Sequence, residues 1–186
     1  KAGVVTGSSR GLGLETLRAL CAEGAKIVAL SRNAELGQAG VDEVRAAGGT
    51  AVFEQGDVTR EEDVVRAIAR CRKEYGGLDR MVNNAGILGE GRLHETTNEQ
   101  WDELVAVHLT GAFWGCKHAI DAMRESGKGG VIVNIGSILS FTGDGYLAAY
   151  TAMKSGVLGL TKAIAIDYAL DGIRCNCVCP GDMETP

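Results

Sequence analysis

Tyr150 and Lys154 lie four residues apart in "AAYTAMKSG", residues 148 to 156. On a helix that spacing puts both side chains on one face within reach of each other. A phenol with the ordinary pKa of about 10 exchanges protons poorly at neutral pH, and a neighbouring ammonium favours its ionised form. Bringing the phenol down to near 7 takes roughly 4 kcal/mol in favour of the phenolate, which an adjacent cation in a partly dry cleft can supply. Alone, so short a pattern recurs freely, and a chance pairing on a solvated helix is the plainer account of it.

A second constellation stands at the other end of the chain. "GVVT" runs into "TGSSRGLG", with Gly7, Gly11 and Gly13 leading into a helical stretch. Glycines there permit a tight turn and a bare backbone against a pyrophosphate, at a helix N-terminus that attracts the anion. The spacing is G-x-x-x-G-x-G, a variant of the dinucleotide fingerprint. About 20 residues further on, NAD sites usually carry an acid for the ribose 2′-hydroxyl. This chain has Ser31 and Arg32 in "ALSRN", without a carboxylate. A guanidinium can bind a 2′-phosphate that a carboxylate would repel, and Arg10 offers a second cation. The cofactor expected is therefore NADP(H) rather than NAD, although both arginines also read as plain surface charges.

These residues need a frame to hold them. Strands are predicted at 3–6, 26–30, 50–55, 78–82, 131–135 and 173–178, alternating with helices at about 11–23, 34–47, 60–75, 98–126 and 147–170. Continuous apolar runs such as "KIVAL" and "VIVNI" suit a parallel sheet covered on both faces. The alternation predicts an α/β fold: a doubly wound parallel sheet of Rossmann type, in one domain spanning residues 1–186. Thr59 with Glu62, and Thr97 with Gln100, read as capping boxes at helix starts. Small residues in the last two helices, among them Gly111, Gly115, Gly156 and Gly159, suit close helix packing within the chain or between subunits. A homo-oligomer, dimer or tetramer, through 98–126 and 147–170 is the interface reading.

Composition narrows the function classes. The 186 residues carry a net charge of −5 and no basic block, which excludes an electrostatic footprint for nucleic acid or anionic lipid. No apolar run is long enough to span a membrane, and a cytoplasmic protein is expected. Cys175, Cys177 and Cys179 alternate along "IRCNCVC" on one face of a strand. Regular strand geometry sets them about 6.7 Å apart, poor for a disulfide, and one strand cannot wrap a tetrahedral metal. Buried small hydrophobes are the reading for the cysteines, and no metal site is expected.

Taken together the motifs resemble the short-chain dehydrogenase/reductase family along the whole chain. "TGSSRGLG" resembles its cofactor loop, including Ser9, Arg10 and Leu12. "GDVT" resembles the segment whose acid, here Asp57 followed by Val58, contacts adenine. "NNAG" supplies Asn84, Ala85 and Gly86 along the cofactor cleft, and "NIGS" ends a strand at Ser137. "PGDMET" resembles the loop that holds the nicotinamide amide through Thr185, with Pro180, Gly181 and Met183 around it.

The resemblance implies hydride transfer between NADP(H) and a small carbonyl or secondary alcohol. Tyr150 would exchange the proton, Ser137 would polarise the carbonyl oxygen, and Lys154 would lower the Tyr pKa and hold the nicotinamide ribose. Two departures stand out. His108 in "VHLTG" occupies the place of a family Asn that helps hold a relay water, and an imidazole titrating near pH 6.5 would lose that role in acid. The chain also stops at Pro186, before the family's covering loop and last strand, so a longer native polypeptide is expected. The rival function is a non-catalytic NADP(H)-binding sensor or scaffold, which would need the glycine loop but no proton donor. A methyltransferase fits less well, because it leaves Tyr150 and Lys154 without a role.

Overall fold

The computed structural model describes residues 1–183. Six strands form one parallel sheet: β1 (Ala2–Thr6), β2 (Lys26–Ser31), β3 (Thr50–Gln55), β4 (Arg80–Asn83), β5 (Gly130–Ile135) and β6 (Ile173–Val178). Their order is β3-β2-β1-β4-β5-β6, so the direction of winding reverses beside β1. In such sheets ligands bind beyond the carboxyl ends of the strands at that reversal. The predicted doubly wound architecture is the one observed.

Six α-helices cover the two faces: α1 (Gly11–Ala22), α2 (Ala34–Ala46), α3 (Glu61–Tyr75), α4 (Asn98–Leu104), α5 (Gly111–Ser126) and α6 (Ala148–Asp167). Successive strand residues point to opposite faces, and both faces are dry. Val5, Ile27 and Ala29 pack with Leu17 of α1 and Val41 of α2. Val4, Val28 and Met81 pack instead with Val64 and Ile68 of α3 and Met123 of α5. Each fully buried Val, Ile or Leu contributes roughly 1.5–3 kcal/mol, which explains the unbroken apolar runs.

A polar chain crosses the second of these cores. Asn83 and Asn134 are register partners on β4 and β5, and the Asn83 amide donates to Asn134 Oδ1 at 2.8 Å. The Asn134 amide donates to Thr161 Oγ1 at 2.9 Å, and Thr161 donates to the Val157 carbonyl at 2.7 Å. All three side chains are buried.

Three local expectations are corrected. The helix expected over 98–126 is interrupted: Val105–Thr110 adopt a π-helix between α4 and α5. The helix expected over 147–170 closes at Asp167, and residues 168–172 form turns before β6. Thr59 makes no capping box with Glu62, because α3 starts one residue later with Arg60 at the N-cap and no side-chain cap. The Thr59 amide is used instead by the Asp57 carboxylate, at 2.9 Å. The Thr97–Gln100 capping box is present.

Candidate active site

β1 delivers the glycine loop to the sheet's carboxyl edge. Gly7 and Gly11 have φ of +65° and +53°, which a residue with a side chain rarely adopts. At Gly13 an added methyl would collide with the Gly7 carbonyl and the Asn84 amide, so helix and loop pack backbone to backbone. Arg10, the N-cap of α1, makes no side-chain cap. The first-turn amides of α1 therefore keep their capacity for an anion.

The loop is tied to "NNAG" through Thr6. The Asn84 and Ala85 amides each donate to Thr6 Oγ1 at 3.0 Å, and the Asn84 side chain donates to the Thr6 carbonyl at 2.9 Å. Thr6 was not among the residues singled out from the sequence. Its only signal there is its place as the last residue of an apolar strand.

The adenine end is built by β2 and the loop after β3. Arg32 is 63% exposed, with Nη1 3.9 Å from Asp57 Oδ2. The acid missing from the end of β2 thus reappears across the cleft, at the outer limit of ion-pair distance from the guanidinium. The Asp57 amide donates to Asp63 Oδ2 at 2.8 Å, and Arg66 joins Asp63 at 2.7 Å to Glu54 at 2.6 Å. Burial pushes the Asp63 carboxyl up, but the Asp57 amide and Arg66 outweigh it and hold it below the usual range. Spacing did not reveal this network, because its members come from β3 and α3.

The chemical end lies where β5 meets α6. Ser137 follows β5, with its Oγ accepting from the Leu139 amide at 3.1 Å. Lys154 is buried, donates to the Ile135 carbonyl at 2.8 Å, and has its Nζ 5.5 Å from the centre of the Tyr150 ring. Burial brings the Lys154 pKa down to about 8, and Cys177 and Cys179 pull the other way. Burial pushes the Tyr150 phenol above its ordinary 10, with the Ser137 hydroxyl opposing it. The expectation that Lys154 lowers the Tyr150 pKa is therefore corrected: desolvation is the larger effect.

His108 sits in the π-helix and is buried. Its ring meets Tyr150 edge-on, with centroids 5.3 Å apart. Nε2 lies 2.7 Å from the Ile87 carbonyl and 3.2 Å from the Ile87 amide; with the proton on Nε2 for the shorter contact, Nδ1 is the acceptor of a neutral ring. Nδ1 and Asn83 Oδ1 are both buried without a protein partner. Both residues line a void of about 10 Å³, beside Lys154 and Thr6. That is room for one water. Burial, then repulsion from Lys154, brings the His108 pKa down to about 4 against the weaker pull of the Ile87 carbonyl. Titration near pH 6.5, expected from the sequence, is corrected accordingly.

One cleft of about 1060 Å³ brings these parts together. It is lined by Ser137, Tyr150, Lys154 and His108, and by every cofactor residue expected from the sequence except Thr185. Thr185 lies outside the described residues. Ile87, Leu88, Asp144 and Leu147 line it too and were not anticipated. Among the described residues no cluster suits a metal ion, and no helix is long and apolar enough to cross a membrane.

The short chain dehydrogenase family model matches residues 1–186. A 3beta-hydroxysteroid dehydrogenase of Mediterraneibacter gnavus is 39% identical over 184 residues, 98% of this chain and 66% of that protein. A 2-(R)-hydroxypropyl-CoM dehydrogenase of Xanthobacter autotrophicus is 43% identical over 187 residues, 98% of this chain and 74% of the relative. The crystal structure of an actinorhodin polyketide ketoreductase variant with NADPH superposes with a TM-score of 0.95 at 39% identity. That match covers 99% of this chain and 71% of the ketoreductase.

Proposed function

Because the chain belongs to the short-chain dehydrogenase family, we propose that it carries the cofactor site and the proton-transfer residues of an NADP(H)-dependent oxidoreductase. The substrate is a carbonyl compound or the corresponding secondary alcohol. The observation that carries the reading is the convergence of Ser137, Tyr150 and Lys154 in the cleft that also holds the glycine loop. A sensor or scaffold would have no use for a buried lysine beside a phenol. The relatives' names, a hydroxysteroid and a hydroxypropyl-CoM dehydrogenase, fit a secondary alcohol as substrate.

The residues fit a dinucleotide. The uncapped first turn of α1 and the glycine loop would take the pyrophosphate, and Arg32 with Arg10 a 2′-phosphate. The cofactor supplies or accepts the hydride when bound. Tyr150 gives its phenolic proton to the substrate oxygen in reduction and takes one from the alcohol in oxidation. Ser137 donates a hydrogen bond to the same oxygen. Lys154, held by the Ile135 carbonyl, keeps donors free for the nicotinamide ribose and stabilises the phenolate that forms. His108 accepts through Nδ1 beside the void next to Lys154, and a water there would return protons toward the lysine. The His108 role lies in its neutral form.

A homo-oligomer through α4, α5 and α6 and a cytoplasmic location complete the proposal. Turnover of a panel of ketones and secondary alcohols with NADPH and NADH tests it. Absence of any turnover with cofactor still bound would favour the sensor reading.

A further inference from the structure

Four of the six cysteines are buried, whereas Cys177 and Cys179 are half-buried. On a regular strand, residues two apart are about 6.7 Å apart, at the far limit for a disulfide. β6, however, ends at Val178, so Cys179 lies beyond the strand. Its Sγ comes to 3.6 Å from that of Cys177. Both sulfurs press against Gly136, where an added Cβ would stand 2.7 and 2.8 Å from them. Two backbone bonds flank Cys179: the Gly136 amide donates to the Val178 carbonyl, and the Ile138 amide to the Pro180 carbonyl, each at 2.8 Å. Between those two bonds stands Ser137.

We propose that Cys177 and Cys179 form a dithiol that hydrogen peroxide oxidises to a disulfide, a modification site at the foot of the Ser137 turn. Burial, together with Cys179 beside it, pushes the Cys177 thiol up to about 11, so Cys177 stays protonated while Cys179 attacks. The Cys179 thiolate displaces hydroxide from the peroxide: an S–O bond forms, the O–O bond breaks, and a sulfenic acid results. Cys177 then gives up its proton and attacks that sulfur. An S–S bond forms, the S–O bond breaks and water leaves. Two thiols are oxidised and one peroxide is reduced to two waters. Closing to a bond of about 2.05 Å draws the sulfurs together by about 1.5 Å. That movement is taken up between the Val178 and Pro180 carbonyls, which hold the Ser137 turn.

The test is intact mass and peptide mapping of the full-length protein after hydrogen peroxide, with a sulfenic-acid trap in parallel. The wild type and Cys175→Ala should each lose two hydrogens, regained on treatment with dithiothreitol. Cys177→Ser should stop at a trapped sulfenic acid on Cys179, and Cys179→Ser should show no bond within 175–179. Cys177→Ala and Cys179→Ala serve if a serine variant fails to fold. A link that survives loss of either Cys177 or Cys179, or oxygen uptake without a link in the wild type, overturns the proposal. Because mass is the readout, the outcome does not depend on whether the protein turns over a carbonyl.

Discussion

Replacing His108 with Asn should change how stability depends on pH. In the folded protein His108 has a pKa of about 4 against the ordinary 6.5, because the ring is buried and faces Lys154. The folded pKa lies below the unfolded one, so the unfolded chain binds the proton more readily. The stability contributed by the neutral ring is complete above pH 6.5, is lost as pH falls from 6.5 to about 4, and changes no further below that. The 2.5 units between these values correspond to about 3 kcal/mol of lost stability. Asn at this position can still donate to the Ile87 carbonyl but does not titrate. Subtracting one protein's curve from the other's removes every other titration the two share. Urea unfolding of both proteins at intervals between pH 7.5 and about 4 reads the difference. It should stay constant above pH 6.5, then move against the wild type by about 1.4 kcal/mol per unit. Parallel curves would refute the claim that the ring is held neutral by burial. A break near pH 6.5 in the rate profile of the wild type alone would count equally against it, since a neutral-ring relay should fail only near pH 4.

Arg32→Ala should remove a preference for NADPH over NADH of at least tenfold, about 1.4 kcal/mol, read by titrating both cofactors. Equal affinities in the wild type would contradict the 2′-phosphate role. Tyr150→Phe should lower turnover by about 10²–10⁴ while leaving NADPH affinity within a few-fold; retained turnover would remove Tyr150 from the proton path. Gly13→Ala should abolish measurable cofactor binding, because the methyl collides with the Gly7 carbonyl and the Asn84 amide. Unchanged binding by calorimetry would show that the loop can yield there.

The strands and the cleft were legible because their signals are local. Apolar runs mark β1, β2 and β5, and Gly7 and Gly11 stand where the chain turns at the edge of the cleft. Features built by tertiary contact were not. Residues 105–110 look like uninterrupted helix, since "VAVHLT" contains no Gly or Pro to announce a π-helix. The acid facing Arg32 comes from Asp57, 25 positions away, and only the sheet order brings them together. The partner of Lys154 is the carbonyl of Ile135, a backbone atom that no side-chain motif encodes. The upward push on the Tyr150 phenol is hidden for the same reason: sequence spacing shows a neighbouring charge but gives no measure of desolvation.

The amide chain from Asn83 through Asn134 to Thr161 has a consequence for how the molecule finds its fold. Valines and isoleucines are nearly interchangeable between neighbouring parallel strands, so apolar matching alone would tolerate β4 shifted against β5 by two residues. Such a slip keeps every side chain on its proper face. It would nevertheless separate Asn83 from Asn134 and part the Asn83 N–H from the Asn134 Oδ1 in a dry core, at about 1–3 kcal/mol for each unpartnered group. The pair thus acts as a registration key for the half of the sheet that carries Ser137. It penalises near-native pairings that hydrophobic contacts would accept, and it fixes the height at which the β5 terminus meets the lysine of α6.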